Sequence, residues 1–328
     1  MQTRAVQERE QVPCYRSGQA ILNCDVDRWC NVTIRLHMPG TDPKAVGPRI
    51  RMALPSLTPL EVKVVESVFK RESFDEATSI KEVAQGAGVS EAMVAKISKK
   101  LGFNGFRDFR AGVAEYLRLP TADLHQDLSP DDSSQQIVQK VFRSAMQALE
   151  ETLAILDMNA FDRATDILYR AAQRNFYGVG GSAQIARDVS HKFLRIGIQS
   201  SVYDDPHMML MSASLLGPDD AVIGFSHSGA TTAVLDAVTI ARRQGARTIA
   251  VTSYAASPLA ELADVVLAST SRGSPLLGEN AAARIAQLNI LDAIFVAVAQ
   301  RDYRAAERNL AKTMGAVSSK RKSPWTKS

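Results

Sequence analysis

The stretch Ala221-Val222-Ile223-Gly224-Phe225-Ser226-His227-Ser228-Gly229-Ala230-Thr231 decides the fold. Its first five residues form a short apolar run typical of a buried strand, and residues 232–238 have the apolar spacing of a helix. A strand, a turn and a helix in that order predict one unit of a parallel sheet. The turn places hydroxyls and a glycine at a helix N-terminus, where free amides and the helix dipole favour an anion. We therefore predict a phosphate site here, although the same residue types also serve as ordinary caps and turns.

A second turn of this kind lies earlier in the chain, in Phe176-Tyr177-Gly178-Val179-Gly180-Gly181-Ser182. Short apolar segments alternate with helical ones around both turns, which predicts an α/β domain with a parallel sheet flanked by helices. Ligands of such sheets bind beyond the carboxyl ends of the strands, where both turns are expected. The predicted strands are 175–179, 200–203, 221–225, 248–252 and 265–268, and the main predicted helices are 182–195, 231–244 and 281–298.

The composition is that of a soluble globular protein with room for two domains. The chain has 328 residues, of which 45% are hydrophobic and 23% charged, and its net charge is only +4. No apolar stretch reaches the roughly 18 residues that cross a bilayer, and we expect a cytoplasmic protein without a membrane partner. Its three cysteines lack metal-ligand spacing, so we expect neither a metal site nor a cofactor. They are Cys14, Cys24 and Cys30.

The N-terminal half contains the local signals of a separate, all-helical domain. Thr58-Pro59-Leu60-Glu61 and Ser79-Ile80-Lys81-Glu82 are both capping boxes, which mark two helix starts. Gly86 and Gly88 are predicted to end the second helix, because glycine adopts the left-handed conformation without strain. A third helix follows at once, so the segment predicts a helix-turn-helix. The apolar faces of the first and third helices are Leu60, Val64, Val65 and Val68, and Val94, Ile97 and Leu101.

The third helix is the candidate DNA-reading helix. In such a helix the first residues meet base edges and the later lysines meet phosphates. The alternative is a solvated lysine face on an ordinary helical hairpin. The predicted base readers are Ser90, Glu91, Met93 and Lys96, and the predicted phosphate contacts are Lys99, Lys100 and Arg107.

The pattern divides the chain into five parts. They are a weakly ordered extension (1–44, with Met38 as an alternative start), the helix-turn-helix domain (45–119), an acidic linker (120–133), the α/β domain (134–315) and a basic tail (316–328). A long amphipathic helix opens the α/β domain near Ile137. Its apolar face would pack either within its own domain or against a second subunit.

Both halves are similar to parts of one known family. The two glycine-and-hydroxyl turns resemble the motif pair of the SIS (sugar isomerase) domain. Val89-Ser90-Glu91-Ala92-Met93-Val94-Ala95-Lys96, followed by Leu101-Gly102-Phe103-Asn104-Gly105-Phe106, resembles the helix-turn-helix of RpiR-type bacterial transcription regulators. The resemblance covers about residues 45–315. Met93 and Lys96 depart from the family's usual threonine and arginine, and a lysine lacks the bidentate geometry of arginine.

The resemblance implies a regulator of carbohydrate metabolism whose SIS domain binds a phosphorylated sugar or sugar acid. It implies operator DNA as the macromolecular partner, and a homodimer or homotetramer that reads a palindromic site. Hydroxyls and amides would bind the phosphate without a fixed cation. The implied effector residues are Ser182, Ser226, Ser228 and Thr231 for the phosphate, together with Gly180, Gly181, Gly229 and Glu279.

The alternative function is a sugar-phosphate isomerase with an accessory helical domain. Such an enzyme needs a general base within reach of the transferred proton. Glu279, His191 or His207 would have to serve, and the sequence pairs none of them with an orienting partner. The regulator is therefore the favoured hypothesis.

Overall fold

The structure is a computed structural model that describes residues 15–16, 19–20, 42–69, 74–120, 128–270, 281–318 and 320. Most of the predicted N-terminal extension, the centre of the predicted linker and most of the basic tail lie outside these residues, and so does Glu279. Within the extension, Tyr15–Arg16 (β1) pairs antiparallel with Gln19–Ala20 (β2). Residues Leu36–Ser328 form one compact unit.

Five helices form the N-terminal domain, here called the head. They are α1 (Pro43–Ala53), α2 (Pro59–Phe69), α3 (Ile80–Ala87), α4 (Glu91–Lys100) and α5 (Phe106–Leu117). Both predicted capping boxes are confirmed: Thr58 N donates to Glu61 Oε2 at 2.8 Å, and Ser79 N donates to Glu82 Oε2 at 2.7 Å. Gly88 ends α3 with φ +68°, whereas Gly86 lies inside that helix. Val94, Ile97 and Leu101 are buried as predicted, but Leu60 is exposed and Glu61 is buried in its place.

The first helix of the head was not predicted. Asp42 caps α1 by accepting a hydrogen bond from Lys44 N at 2.9 Å, and Val46 and Ile50 are buried. The sequence did not indicate a helix here because it contains Gly47 and Pro48, and both residue types oppose helix formation. Gly47 is required there because an added Cβ would lie 2.3 Å from the ring of Tyr116 on α5.

The C-terminal domain is built on a five-stranded parallel sheet, and all five strands were predicted to within one residue at each end. Its strands are β3 (Arg174–Gly178), β4 (Ser201–Tyr203), β5 (Ala221–Phe225), β6 (Arg247–Thr252) and β7 (Val265–Ala268), in the order β4-β3-β5-β6-β7. Its helices are α6 (Ser134–Ile155), α7 (Met158–Arg170), α8 (Gly181–Arg195), α9 (Pro206–Ser214), α10 (Thr232–Arg243), α11 (Pro258–Leu262), α12 (Ala281–Arg301) and α13 (Tyr303–Ser318).

Helices cover both faces of the sheet. One core joins the sheet to α7, α8, α12 and α13, and the other joins it to α9, α10 and α11. Neighbouring strand residues alternate between the two cores, as in Phe176 and Tyr177. The described residues include one helix, α12, that is long and apolar enough to cross a membrane, with a mean hydropathy of 1.6. Helix α12 packs against α6, α7 and α8, and this packing accounts for its apolar composition. A stretch of this length and hydropathy was not identified from the sequence.

Helix α6 connects the two domains, because it contacts α1 of the head and α12 of the sheet domain. Its buried residues are mostly polar or small, whereas its large apolar side chains face outward. Of the two alternatives, packing within its own domain was the favoured one. It is wrong for the exposed residues of this face, whereas Val141, Ala145 and Leu149 of the same face are half-buried. The exposed residues are Ile137, Val138, Phe142, Met146 and Leu153.

Candidate effector site and DNA-binding surface

The two predicted turns lie side by side at the carboxyl edge of the sheet. Strands β3 and β5 are neighbours in parallel register, with Gly178 opposite Phe225, so residues 179–182 and 226–231 leave the sheet at the same level. The chain passes from β3 toward β4 on one side and from β5 toward β6 on the other. This reversal is the topological switch point, where open α/β sheets form a ligand crevice.

The turn after β5 forms a small hydroxyl cluster. The buried Ser226 side chain contacts Thr231, with Oγ and Oγ1 2.9 Å apart, and Ser228, with the two Oγ atoms 3.5 Å apart. Thr231 is the N-cap of α10, yet among the described residues its side chain makes no cap bond to that helix. The first amides of α10 therefore keep their donor capacity for a bound anion.

Gly229 shapes this turn rather than donating to a ligand. Its φ is +64°, and an added Cβ would lie 2.0 Å from Ser257 Oγ. Its amide donates to Ser226 O at 3.1 Å, and the amide of Ala230 donates to Ser228 Oγ at 3.3 Å. Both amides are thus bonded within the turn, and the prediction that amides beside Gly229 hold an anion stays a prediction.

The turn after β3 brings backbone rather than side chains to the crevice. Gly180 is the N-cap of α8 with φ +59°, a conformation suited to glycine. Ser182 lies in the first turn of α8 and is half-buried, and its amide donates to Val179 O at 3.2 Å. The start of α8 packs closely on β3, because an added Cβ at Gly178 would lie 3.0 Å from the Ser182 backbone.

A guanidinium lies beside these turns, which the sequence analysis missed. An added Cβ at Gly181 would lie 3.3 Å from Nη1 of Arg284, an exposed residue in the first turn of α12. A cation beside the site was not expected, since the sequence analysis predicted a phosphate held by hydroxyls and amides alone. Arg284 is about 100 residues distant along the chain, so only the folded chain brings it to this turn.

His227 is turned away from the hydroxyl cluster. Its Nδ1 lies 2.8 Å from Ser253 Oγ at the end of β6, and Ser253 Oγ lies 3.0 Å from Ser269 Oγ after β7. Gln287 of α12 donates to Ser269 Oγ at 3.2 Å. A chain of hydrogen bonds thus runs along the edge of the sheet from the Ser226 turn to β7. His191 on α8 and His207 on α9 are both exposed.

The predicted DNA-binding residues fall into two groups. Glu91, Lys96, Lys99 and Arg107 are exposed on α4 and at the start of α5. Ser90 is exposed and caps α4 by accepting from Met93 N at 3.3 Å, and the Met93 side chain packs partly against the head core.

Lys100 is used within the head. Its Nζ donates to the buried carboxylate of Glu61 at 2.7 Å, which fastens α4 to α2. Hydrogen bonds from Lys100 and Thr58 hold the pKa of Glu61 below its ordinary value. Lys100 therefore has a structural role in the head, and its predicted phosphate contact stays a prediction.

A helix-turn-helix head joined to an α/β domain with a crevice at its switch point defines a class of DNA-binding regulators. Comparison with known families agrees: residues 44–119 match the model of the helix-turn-helix domain, rpiR family, and residues 167–297 match the SIS domain. The HTH-type transcriptional regulator RpiR of Escherichia coli K12 is 43% identical over 277 residues, covering 84% of this chain and 93% of the relative. The chain therefore belongs to the RpiR family of transcriptional regulators.

Other relatives share this organisation. An uncharacterized HTH-type transcriptional regulator of Caldanaerobacter subterraneus is 33% identical over 269 residues, covering 82% of this chain and 95% of the relative. Among solved structures, Vibrio vulnificus NanR complexed with ManNAc-6P has a TM-score of 0.55 at 23% identity, covering 84% of this chain and 100% of that one.

The sugar isomerase domain of the RpiR transcription factor from Sphaerobacter thermophilus has a TM-score of 0.51 at 25% identity and covers 55% of this chain and 98% of its own. The curated relatives are named as transcriptional regulators. The protein is accordingly a regulator and not an isomerase.

Proposed function

We propose that this regulator controls carbohydrate metabolism in the cytoplasm by binding a phosphorylated sugar or sugar acid in its SIS domain. The observation that carries the proposal is the pair of glycine-and-hydroxyl turns at the switch point between β3 and β5. The same fold occurs in NanR, which has been captured with ManNAc-6P. We further propose that the functional domains span 45–119 and 134–315, joined by the linker 120–133.

The phosphate would lie between the two turns, with the sugar directed toward α12. Hydroxyl groups both donate and accept, so the bond between Ser226 and Thr231 can be exchanged for a bond to a phosphate oxygen. Arg284 would offset part of the charge of the dianion. The remaining proposed contacts are Ser182, Ser228 and Glu279, shaped by Gly180, Gly181 and Gly229.

DNA would bind along the exposed side of α4. Glu91 and Lys96 are the proposed base readers, and Lys99 and Arg107 the proposed phosphate contacts. Ser90 and Met93 would position the start of α4 against the DNA. One head reads one half-site, so a symmetric operator requires a homodimer or homotetramer. The exposed apolar face of α6 supports such an assembly.

A gel-shift titration tests the proposal directly. The full chain is titrated against its own upstream DNA in the presence of ManNAc-6P, glucose 6-phosphate, ribose 5-phosphate or 6-phosphogluconate. Inorganic phosphate and the unphosphorylated sugars are the controls. We expect one phosphorylated compound to shift the affinity of the complex. Absence of DNA binding at every salt concentration, together with turnover of one compound, would establish an enzyme instead.

Replacing both Ser182 and Ser226 by alanine is expected to abolish the response to that compound and to leave operator affinity unchanged. Two hydrogen bonds to a charged group are lost, so binding of the compound should weaken by about 100-fold or more. Calorimetry measures the compound, and the gel shift measures the operator. Ser190→Ala is the matched control, because Ser190 also lies on α8 but bonds to Ser200 outside the crevice. A full response in the double variant would refute the phosphate assignment.

A further inference from the structure

Glu151 on α6 is a buried carboxylate bound largely by the head. Its Oε1 accepts hydrogen bonds from Tyr116 Oη at 2.7 Å and from Gln147 Nε2 at 2.8 Å, and its Oε2 pairs with Arg51. Arg51 Nη1 also donates to Tyr116 Oη at 3.3 Å. One carboxylate therefore fastens α1 and α5 to α6 at once. A buried pair of this kind is costly to break, because either partner alone would remain as an uncompensated charge.

Thr152, the next residue on α6, is bonded to the sheet domain instead. Its buried Oγ1 accepts from Thr270 N at 3.0 Å and donates to Thr270 O at 3.4 Å. Thr270 lies just past the end of β7, at the same edge of the sheet as the candidate effector site. Its neighbour Ser269 is the last hydroxyl of the hydrogen-bond chain that begins at His227.

Two adjacent residues of one helix thus bond to different domains, Glu151 to the head and Thr152 to the sheet domain. A small rotation or shift of α6 would change both sets of contacts together. The other ion pair between α6 and the head, Lys44 with Glu150, is about half exposed and stabilises little. Among the described residues, the Glu151 carboxylate and the Thr152 hydroxyl are therefore the buried polar groups that bond α6 to the head and to the end of β7, in addition to the packing of α6 on α1 and α12.

We propose that Glu151 and Thr152 are positioning residues that transmit effector occupancy to the DNA-binding head. The proposal rests on the proposed function and deepens it by naming the connection between its two sites. Rearrangement of the Ser226–Thr231 turn moves Ser253, Ser269 and Thr270, Thr270 moves α6 through Thr152, and Glu151 then resets the placement of α1 and α5. Neither residue contacts the effector or the DNA.

The test measures the ratio of operator affinities with and without the active compound of the panel above. Such ratios are about 5- to 150-fold in allosteric proteins. Thr152→Val removes the hydroxyl with little change of shape, and Glu151→Gln removes the charge that holds Arg51. We expect both variants to bind the compound as the parent does and to show a ratio near one.

Thr165→Val is the matched control, because the buried Thr165 hydroxyl bonds only to Phe161 O of its own helix. It should keep the parental ratio. If Thr152→Val and Glu151→Gln also keep that ratio, the proposed transmission is wrong while the proposed function stands. If no compound binds the parent, the proposed function fails and the following measurement still tests the transmission.

The second measurement needs no ligand, because a substitution in the candidate effector site changes the turn instead. Gly229→Ala forces the turn to move, because its Cβ would lie 2.0 Å from Ser257 Oγ. Hydrogen exchange of the full chain should then change in residues 43–53 and 106–117 of the head. The same substitution combined with Thr152→Val should leave exchange in the head at the level of Thr152→Val alone. An identical change in both backgrounds would overturn the proposal.

Discussion

Ser226 and Gly229 show how single residues prepare a reversible anion site. The Ser226 hydroxyl is bonded to Thr231 within its turn, so this buried oxygen has a partner before a ligand arrives. Gly229 holds the turn in a conformation that brings its backbone against Ser257 and Thr252. Because the turn is preformed, binding loses little conformational entropy, which suits a site that must release its ligand.

Gly229→Ala is expected to destabilise the protein by about 1–3 kcal/mol, through an unfavourable φ and a steric clash with Ser257. Urea denaturation followed by circular dichroism measures the change. Gly86→Ala is the matched control, because no described atom lies within 4 Å of its added Cβ. That control should stabilise α3 by about 0.5–1 kcal/mol. Equal effects of the two substitutions would contradict the role assigned to Gly229.

At the scale of elements, α4 is held in place by a cap, a buried face and an ion pair. Ser90 begins the helix, Val94 and Ile97 bury one face, and Lys100 ties the other end to Glu61. The exposed side chains of α4 that make no such contact are the ones we propose for DNA binding. Lys99 and Lys100 therefore differ, although they are neighbours in sequence, because Lys100 is paired with Glu61.

Lys99→Ala is expected to weaken binding to all DNA sequences and to reduce the slope of log affinity against log salt by about 1, since one phosphate contact is lost. Lys100→Ala should change that slope less, because Lys100 is paired with Glu61. Fluorescence anisotropy over a range of salt concentrations measures both slopes. A loss limited to one base position of the operator would instead make Lys99 a base reader.

The pair between Glu61 and Lys100 also predicts how the head responds to acid. The pKa of Glu61 is lowered from 4.5 in the folded head, so its stabilising effect is present above that pH and is lost as the pH falls through the lowered value. Glu61→Gln keeps an acceptor for Thr58 N but does not titrate. The parent should be more stable near neutral pH by at most about 1 kcal/mol, because Lys100 is partly exposed.

Urea denaturation at neutral and at acid pH measures this difference. The advantage of the parent over Glu61→Gln should shrink as the pH falls below 4.5. A difference that is constant with pH would show that the carboxylate charge contributes nothing to the head.

Elements with strong local signals were predictable, whereas features that depend on distant parts of the chain were not. The strands and capping boxes follow from apolar runs and from contacts three residues apart. Helix α1 was missed because Gly47 accommodates Tyr116, which lies on another helix. Arg284 was missed because only the folded chain brings α12 to the turn after β3. The apolar spacing of α6 predicted the helix but not which face would be covered.

At the scale of the whole molecule, we propose that the exposed apolar face of α6 binds a second subunit. Val138, Phe142 and Met146 are spaced as one stripe on α6, and Phe142 is 67% exposed. We expect Phe142→Glu to lower the mass measured by analytical ultracentrifugation and, with it, the affinity for a symmetric operator, because a lone head reads one half-site. Gln139→Glu adds the same charge at an exposed polar position of α6 and should keep both properties. An unchanged mass in Phe142→Glu would exclude the α6 stripe as the interface. Phe142 could also prove to matter for assembly alone. If Phe142→Glu lowers the measured mass but keeps the affinity for the operator, assembly does not contribute to DNA binding, because one head then supplies the whole binding energy.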